Sequence, residues 1–270
     1  MKRFLLTTLV STVALAAWGC AEGGGDSNDG GAGGTTTGSG PNTVGTGFNN
    51  TTASDTVGTG TCAATNAKAT PTPLDIVFVL DWSGSMQGDS WEGSTTALKN
   101  FMQAPESAGI SAGMVYFPTI KPDFDDTCNH QLYAVLDVPI AELPGNSFAL
   151  TNSMPADAIG SPSPLYAGLK GALQAAVARQ DLLPKHKVVV VMASDGGYNT
   201  CGQGITAISA LATSARQYNG VQTYVIAVQS SANINFDALQ TIAISGGTNG
   251  LYDASDIDVF GEKMAEIRDA

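Results

Sequence analysis

The chain has 270 residues, with 24 acidic side chains against 12 basic ones and a formal net charge of −12. That balance excludes nucleic acid as a partner, because phosphate binding needs a basic face. The roughly 200 residues that follow a poorly patterned N-terminal part suit one α/β domain, which at that size buries about 70% of its unfolded surface and needs no staples to fold.

Met1-Lys2-Arg3 is a short basic start, and Phe4 to Trp18 is an apolar stretch too short to span a membrane comfortably. Ala17-Trp18-Gly19-Cys20 closes it with a small residue before a cysteine. This layout is that of a signal peptide. It resembles a bacterial lipoprotein signal over residues 1–20, in which Cys20 would become the acylated first residue; an ordinary secretory signal is the alternative. Several acyl chains on one cysteine hold a protein at a membrane stably. Without Lys2 and Arg3 the net charge is −14. Residues 21–70 read as a flexible linker rich in Gly, Thr, Ser and Asn. A run such as GGGDSNDGGAGGTTTGSG has almost nothing to bury, so ordering it would cost backbone entropy without return. A coil of about forty such residues spans roughly 35 Å on average.

The first strand is expected over Asp75 to Leu80. It is a short, β-branched apolar run that reads as buried on both faces. Asp81-Trp82-Ser83-Gly84-Ser85 follows, with oxygen-bearing side chains at alternate positions. Carboxylate and hydroxyl oxygens suit a hard divalent cation, and Gly84 lets the chain bend around it. An open α/β sheet places its ligand site at the carboxyl ends of its strands, where this stretch sits. Taken alone, Asp81 reads equally well as a structural cap. Trp82 is either an exposed binding anchor or a cover for the loop.

Trp91 to Met102 reads as a helix, Ala112 to Phe117 as a second strand, and Gln131 to Val138 as a third, edge strand. Between the last two lies a polar loop with Asp123, Asp125 and Asp126, a solvated surface or, alternatively, a second cation site. Asn146 to Asn152 suits a short helix. Pro164 to Gln180 suits a long one, with proline in its first turn. Lys187 to Met192 is a fully buried strand. A helix over Ile205 to Tyr218 ends at Gly220, followed by a strand (Gln222 to Val228), a helix (Phe236 to Ile244), a short strand (Gly250 to Tyr252) and a last helix (Val259 to Ile267). Strands alternating with such helices give a mainly parallel sheet covered on both faces. His130 and His186 are isolated, and neither is assigned to metal or catalysis.

Asp81-x-Ser83-x-Ser85-Met86 after a buried strand resembles the metal-ion-dependent adhesion site of the von Willebrand factor type A (VWA) family. Gly160-Ser161-Pro162-Ser163-Pro164 is similar to the loop that carries the family's Thr, with Ser161 in that position and Ser163 as the alternative register. Val188 to Met192, leading into Ala193-Ser194-Asp195-Gly196, is similar to its last loop. Tyr116-Phe117-Pro118 and Leu143-Pro144-Gly145-Asn146 are similar to segments of secreted or lipid-anchored bacterial members. The resemblance runs from about Leu74 to the last residue, and the domain it implies is set at residues 71–270. It implies a Rossmann-like, doubly wound, six-stranded sheet in the order 3-2-1-4-5-6, with strand 3 antiparallel at the edge.

The same resemblance implies that Ser83 and Ser85 bind an ion directly. Asp81 and Asp195 would act mostly through water and by hydrogen-bonding those hydroxyls, and Ser161 would supply one more oxygen. Mg²⁺ suits so sparse a set, with Mn²⁺ or Ca²⁺ as alternatives. Ser in place of Thr keeps the oxygen but loses the methyl that restrains the rotamer. In the implied topology the loops of Cys128 and Cys201 share the ion face, so these two are expected to form a disulfide in an exported chain. Cys62 is left as the odd thiol.

The function these features imply is that of an exported protein, lipid-anchored to a bacterial outer membrane or cell surface. It would bind a protein ligand whose acidic side chain completes the ion's coordination, and it would not be an enzyme. A structural envelope protein with a non-functional site is the main alternative. A Mg²⁺-dependent phosphatase-like hydrolase is another, but the positive charge that phosphoryl transfer requires is missing around Asp81, and no Gly-x-Ser-x-Gly elbow occurs.

Overall fold

Two apolar runs form the middle of the sheet. In the computed structural model, β1 (Leu74–Asp81) and β4 (Lys187–Ser194) lie side by side in parallel, with Val77 opposite Val190 and Leu80 opposite Ala193. Alternate residues face two separate cores. Ile76, Phe78 and Leu80 join Val189, Val191 and Ala193 in one, and Val77 and Val79 join Val188, Val190 and Met192 in the other. A strand covered on both faces has no position where a polar side chain reaches water, which is why these runs lack the usual alternation. The structure describes residues 72–269 apart from 122–125, 159, 199, 229–234 and 255–256. The expected signal segment and linker, with Cys20 and Cys62, lie outside the described residues, as do Asp123 and Asp125.

β2 (Ser111–Phe117) runs parallel to β1, and β3 (Val138–Glu142) pairs with β2 antiparallel at the edge. On the other side β5 (Gln222–Val228) and β6 (Tyr252–Ala254) continue the parallel arrangement. The order is β3-β2-β1-β4-β5-β6, a Rossmann-like doubly wound sheet with the topology expected from the sequence. Helix α1 (Asp89–Gln103) covers the first core with Leu98, Phe101 and Met102, and α7 (Ile257–Asp269) adds Met264 and Ile267. Helices α4 (Leu165–Leu182), α5 (Ile205–Asn219) and α6 (Phe236–Ser245) cover the second through Leu169, Ile208 and Ile242, among others. Gly220 ends α5 at φ 72°, the left-handed cap that glycine adopts without steric cost. None of the described helices is long and apolar enough to cross a membrane.

The third strand departs from expectation. Gln131 to Val138 is not a strand: it opens as a short helix, α2 (Gln131–Ala134), and β3 begins only at Val138. Asp137 accepts a hydrogen bond from Tyr116 N and pairs with Lys121 Nζ at 3.0 Å. The same ammonium group donates to the Leu132 and Val135 carbonyls, which ends the helical turn and delays the strand. Pro139 fits because it lies in an edge strand. The last strand is likewise later than expected, at Tyr252–Ala254 instead of Gly250 to Tyr252. A further helix, α3 (Ser147–Ser153), follows β3 as expected.

Helix α2 lies close to α4 because position 171 is glycine. A Cβ there would overlap the His130 carbonyl oxygen and Tyr133, whose ring is fully buried and whose hydroxyl bonds Thr127. Gly171→Ala is therefore expected to destabilise the domain by about 1–3 kcal/mol through overpacking. Urea unfolding reads this directly, and an unchanged midpoint would contradict it.

At the amino end of β1, Asp75 is fully buried and paired with Arg179 Nε at 2.6 Å and His186 Nδ1 at 3.1 Å. His186, unassigned from sequence, thus holds the end of the sheet opposite the loops described next.

Candidate metal centre

Chain direction across the sheet reverses between β1 and β4. The first three strands step one way from β1, and the last three step the other way from β4. That reversal opens a crevice at the strands' carboxyl ends, the general place for a ligand in such sheets. Asp81, the last residue of β1, and Asp195, one residue past β4, both lie there, and both are almost fully buried.

The Asp81 loop is pinned on several sides. Trp82 N donates to Phe117 O at 3.0 Å. Ser83 bridges to Gly160, with Gly84 N donating to Gly160 O at 2.7 Å and Gly160 N to Trp82 O at 3.0 Å. Met86 closes a short 3₁₀ turn, Gly84–Met86, and inserts into the first core. Gln87 Nε2 donates to Asp157 Oδ2 at 2.9 Å, which ties the end of this turn to the loop before Gly160. Trp82 is half-buried and its indole N–H donates to the Pro118 carbonyl; a Cβ on Gly160 would overlap the Pro118 ring and press on the Trp82 indole. Trp82 thus packs over the loop, as its covering role requires, and keeps part of its surface open.

Within this frame Ser83 N donates to Asp81 Oδ1 at 3.0 Å. The Ser83 and Ser85 hydroxyl oxygens lie 3.1 Å apart and share a hydrogen bond. Ser194 Oγ donates to Asp81 Oδ2 at 2.7 Å. Asp195 sits on a turn where Gly197 N donates to its Oδ1 at 3.3 Å, and its carbonyl accepts from Asn235 N at 3.1 Å.

The loop before α4 contributes differently from what its motif suggested. Ser161 is exposed, one residue past the Gly160 bridge, and its hydroxyl makes no hydrogen bond to the other four candidates among the described residues. Ser163, the alternative register, is the hydroxyl tied to the Asp195 turn, donating to Gly197 O at 2.8 Å. The structure thus brings Asp81, Ser83, Ser85 and Asp195 to one crevice and sets Ser161 at its rim. Ser194, bonded directly to Asp81, was not singled out from sequence.

The rim is cross-linked as expected. Cys128, before α2, and Cys201, after β4, form a disulfide with Cα atoms 5.5 Å apart.

Burial and the neighbouring Asp195 charge push the Asp81 carboxyl up to about 7, against the pull of its hydrogen bonds from Ser83 and Ser194. Asp195 is near enough for its charge to act on Asp81, and among the described residues no Lys or Arg side chain offsets that charge at Asp81. A buried, repelled carboxylate is costly unless it is protonated or meets a cation. The donors nearby are hard oxygens from Asp and Ser, the kind that Mg²⁺, Mn²⁺ and Ca²⁺ take. The residues therefore fit a divalent cation. Among the described residues no cluster of three or more His, Cys, Asp or Glu occurs, so hydroxyls would have to supply part of any such set.

No family model matches the sequence, and no curated protein matches it. Solved structures similar to the chain include proximal thread matrix protein 1 from the mussel byssus, at 18% identity and a TM-score of 0.46 over 72% of this chain and 44% of that one. Manganese-loaded TRAP protein of Plasmodium vivax is another, at 15% identity and a TM-score of 0.46 over 73% of this chain and 72% of that one. The chain thus spans under half the length of the mussel protein.

Proposed function

We propose that residues 72–269 form a VWA-type domain that binds a partner protein through a divalent cation, displayed from a bacterial cell envelope by a lipid on Cys20. Asp81, Ser83, Ser85 and Asp195 would hold the ion, with Ser161 or Ser163 adding an oxygen from the third loop. Mg²⁺ is the first choice, with Mn²⁺ and Ca²⁺ as alternatives. An acidic side chain of the partner would complete its coordination, and the protein would act as an adhesion or scaffolding module, not as an enzyme. The observation that carries this reading is the buried Asp81 carboxylate, bonded to Ser83 and Ser194 and repelled by Asp195, with no basic side chain among the described residues to balance it. When bound, the ion supplies that balance and an open position for an external carboxylate.

Capture of envelope proteins by the immobilised protein, in Mg²⁺ and in EDTA, tests the proposal. The expected result is a partner retained in Mg²⁺ and released by EDTA, and not retained by Asp81→Ala. A partner held equally by the parent in EDTA and by the variant would contradict it.

A further inference from the structure

Ser194 ends β4 and is fully buried. The β1–β4 register, with Leu80 opposite Ala193, sets it beside Asp81. Its oxygen accepts a hydrogen bond from Gly196 N at 3.0 Å. A hydroxyl carries one proton, and here that proton goes to Asp81 Oδ2 at 2.7 Å. The other carboxylate oxygen, Oδ1, is held by Ser83 N at 3.0 Å. The Asp81 carboxylate is thus clamped on both oxygens, one from its own loop and one from the strand that delivers Asp195. Through Gly196 the same hydroxyl also fixes the turn on which Asp195 sits. An ionised carboxylate accepts more than one hydrogen bond per oxygen, so this clamp leaves acceptor capacity on both.

We propose that Ser194 is a positioning residue for the cation site, resting on the cation reading above. Its hydroxyl sets the plane of the Asp81 carboxylate and locks it to the Asp195 turn, and so sets the affinity for the ion without touching it. The competing account is that Ser194 only satisfies a buried Gly196 N–H. In that case its loss lowers stability and leaves the ion's affinity alone.

Mn²⁺ titration followed by electron paramagnetic resonance separates the two, using the full chain as parent, Ser194→Ala and Ser194→Thr, with melting in EDTA recorded for each. Loss of an outer partner of this kind typically costs 10–100-fold in metal affinity. Ser194→Ala is expected to bind Mn²⁺ at least about 10-fold more weakly, and Ser194→Thr, which restores the hydroxyl, to bind close to the parent. A parent-like dissociation constant for Ser194→Ala, whatever its melting temperature, overturns the proposal. So does a folded Ser194→Thr as weak as Ser194→Ala. If the threonine variant does not fold, the alanine comparison decides. A parent that binds no Mn²⁺ overturns the cation site itself, and the positioning role with it.

Discussion

Asp81→Asn is expected to raise the melting temperature of the cation-free protein and to abolish the further rise that Mg²⁺ gives the parent. In the parent, burial and Asp195 lift the Asp81 carboxyl from 3.8 to about 7. A carboxyl raised by folding binds its proton more tightly in the folded state. Its contribution is therefore fully present below about pH 4, is lost as pH rises, and is gone above about pH 7. A shift of this size corresponds to roughly 2–4 kcal/mol of strain at neutral pH. Asparagine removes the charge but keeps the shape. It loses one of the two accepted hydrogen bonds, so the net gain is expected to be about 1–3 kcal/mol, or roughly 2–10 °C for a domain of this size. The variant's stability should also lose the parent's decline between pH 4 and 7. Mg²⁺ competes with the same proton, so the parent's affinity should rise with pH and level off above about 7. Thermal melts across pH, with Mg²⁺ and with EDTA, check each part. A variant less stable than the parent in EDTA, or one still stabilised by Mg²⁺, would contradict the role given to Asp81.

The second large effect is expected at the Cys128–Cys201 bridge. It closes a loop across 73 residues and joins the segment before α2 to the segment after β4. The chain-entropy relation gives about 4 kcal/mol for a loop of that length, within a usual range of about 2–5 kcal/mol for native bridges. Cys128→Ser with Cys201→Ser, or reduction, should lower the melting temperature by roughly 5–15 °C. The core packs without these residues, and neither cysteine belongs to the two buried clusters. The loss should therefore appear as lower stability of a folded domain with an unchanged circular dichroism spectrum. Equal melting curves for oxidised and reduced protein would count against the bridge as a structural element.

What could be read from the sequence follows from how local each signal is. The runs ending at Asp81 and Ser194 carry their own evidence: they are apolar, short, β-branched and closed by a turn, so their strands and their loops follow directly. Leu132, Tyr133 and Val135 look like strand residues taken locally, so the sequence alone sets the edge strand too early. Their helical turn is imposed by partners outside the run, the bare Gly171 of α4 and the Lys121 ammonium group. Asp75 was legible as the start of a strand but not as a buried ion pair, because Arg179 and His186 lie 104 and 111 residues away. Ser194 carries no local signal for a similar reason. Alone it is the small end of a buried strand, and it becomes informative only when the β1–β4 register is laid out and position 194 falls beside Asp81. That register could have been drawn from the two hydrophobic runs, so the signal was present but needed pairing to be seen. Ser161 and Ser163 differ by two residues on an irregular loop with prolines on both sides of Ser163, where no periodicity fixes which hydroxyl turns inward.

Side chains from the ends of β1 and β4 are proposed to hold one divalent cation. Calorimetric titration of the protein with Mg²⁺, alongside the Ser83→Ala, Ser85→Ala double variant, tests this most directly. One saturable site per chain in the parent and none in the variant is the predicted outcome. Absence of saturable binding in the parent, or equal binding in the variant, would contradict it.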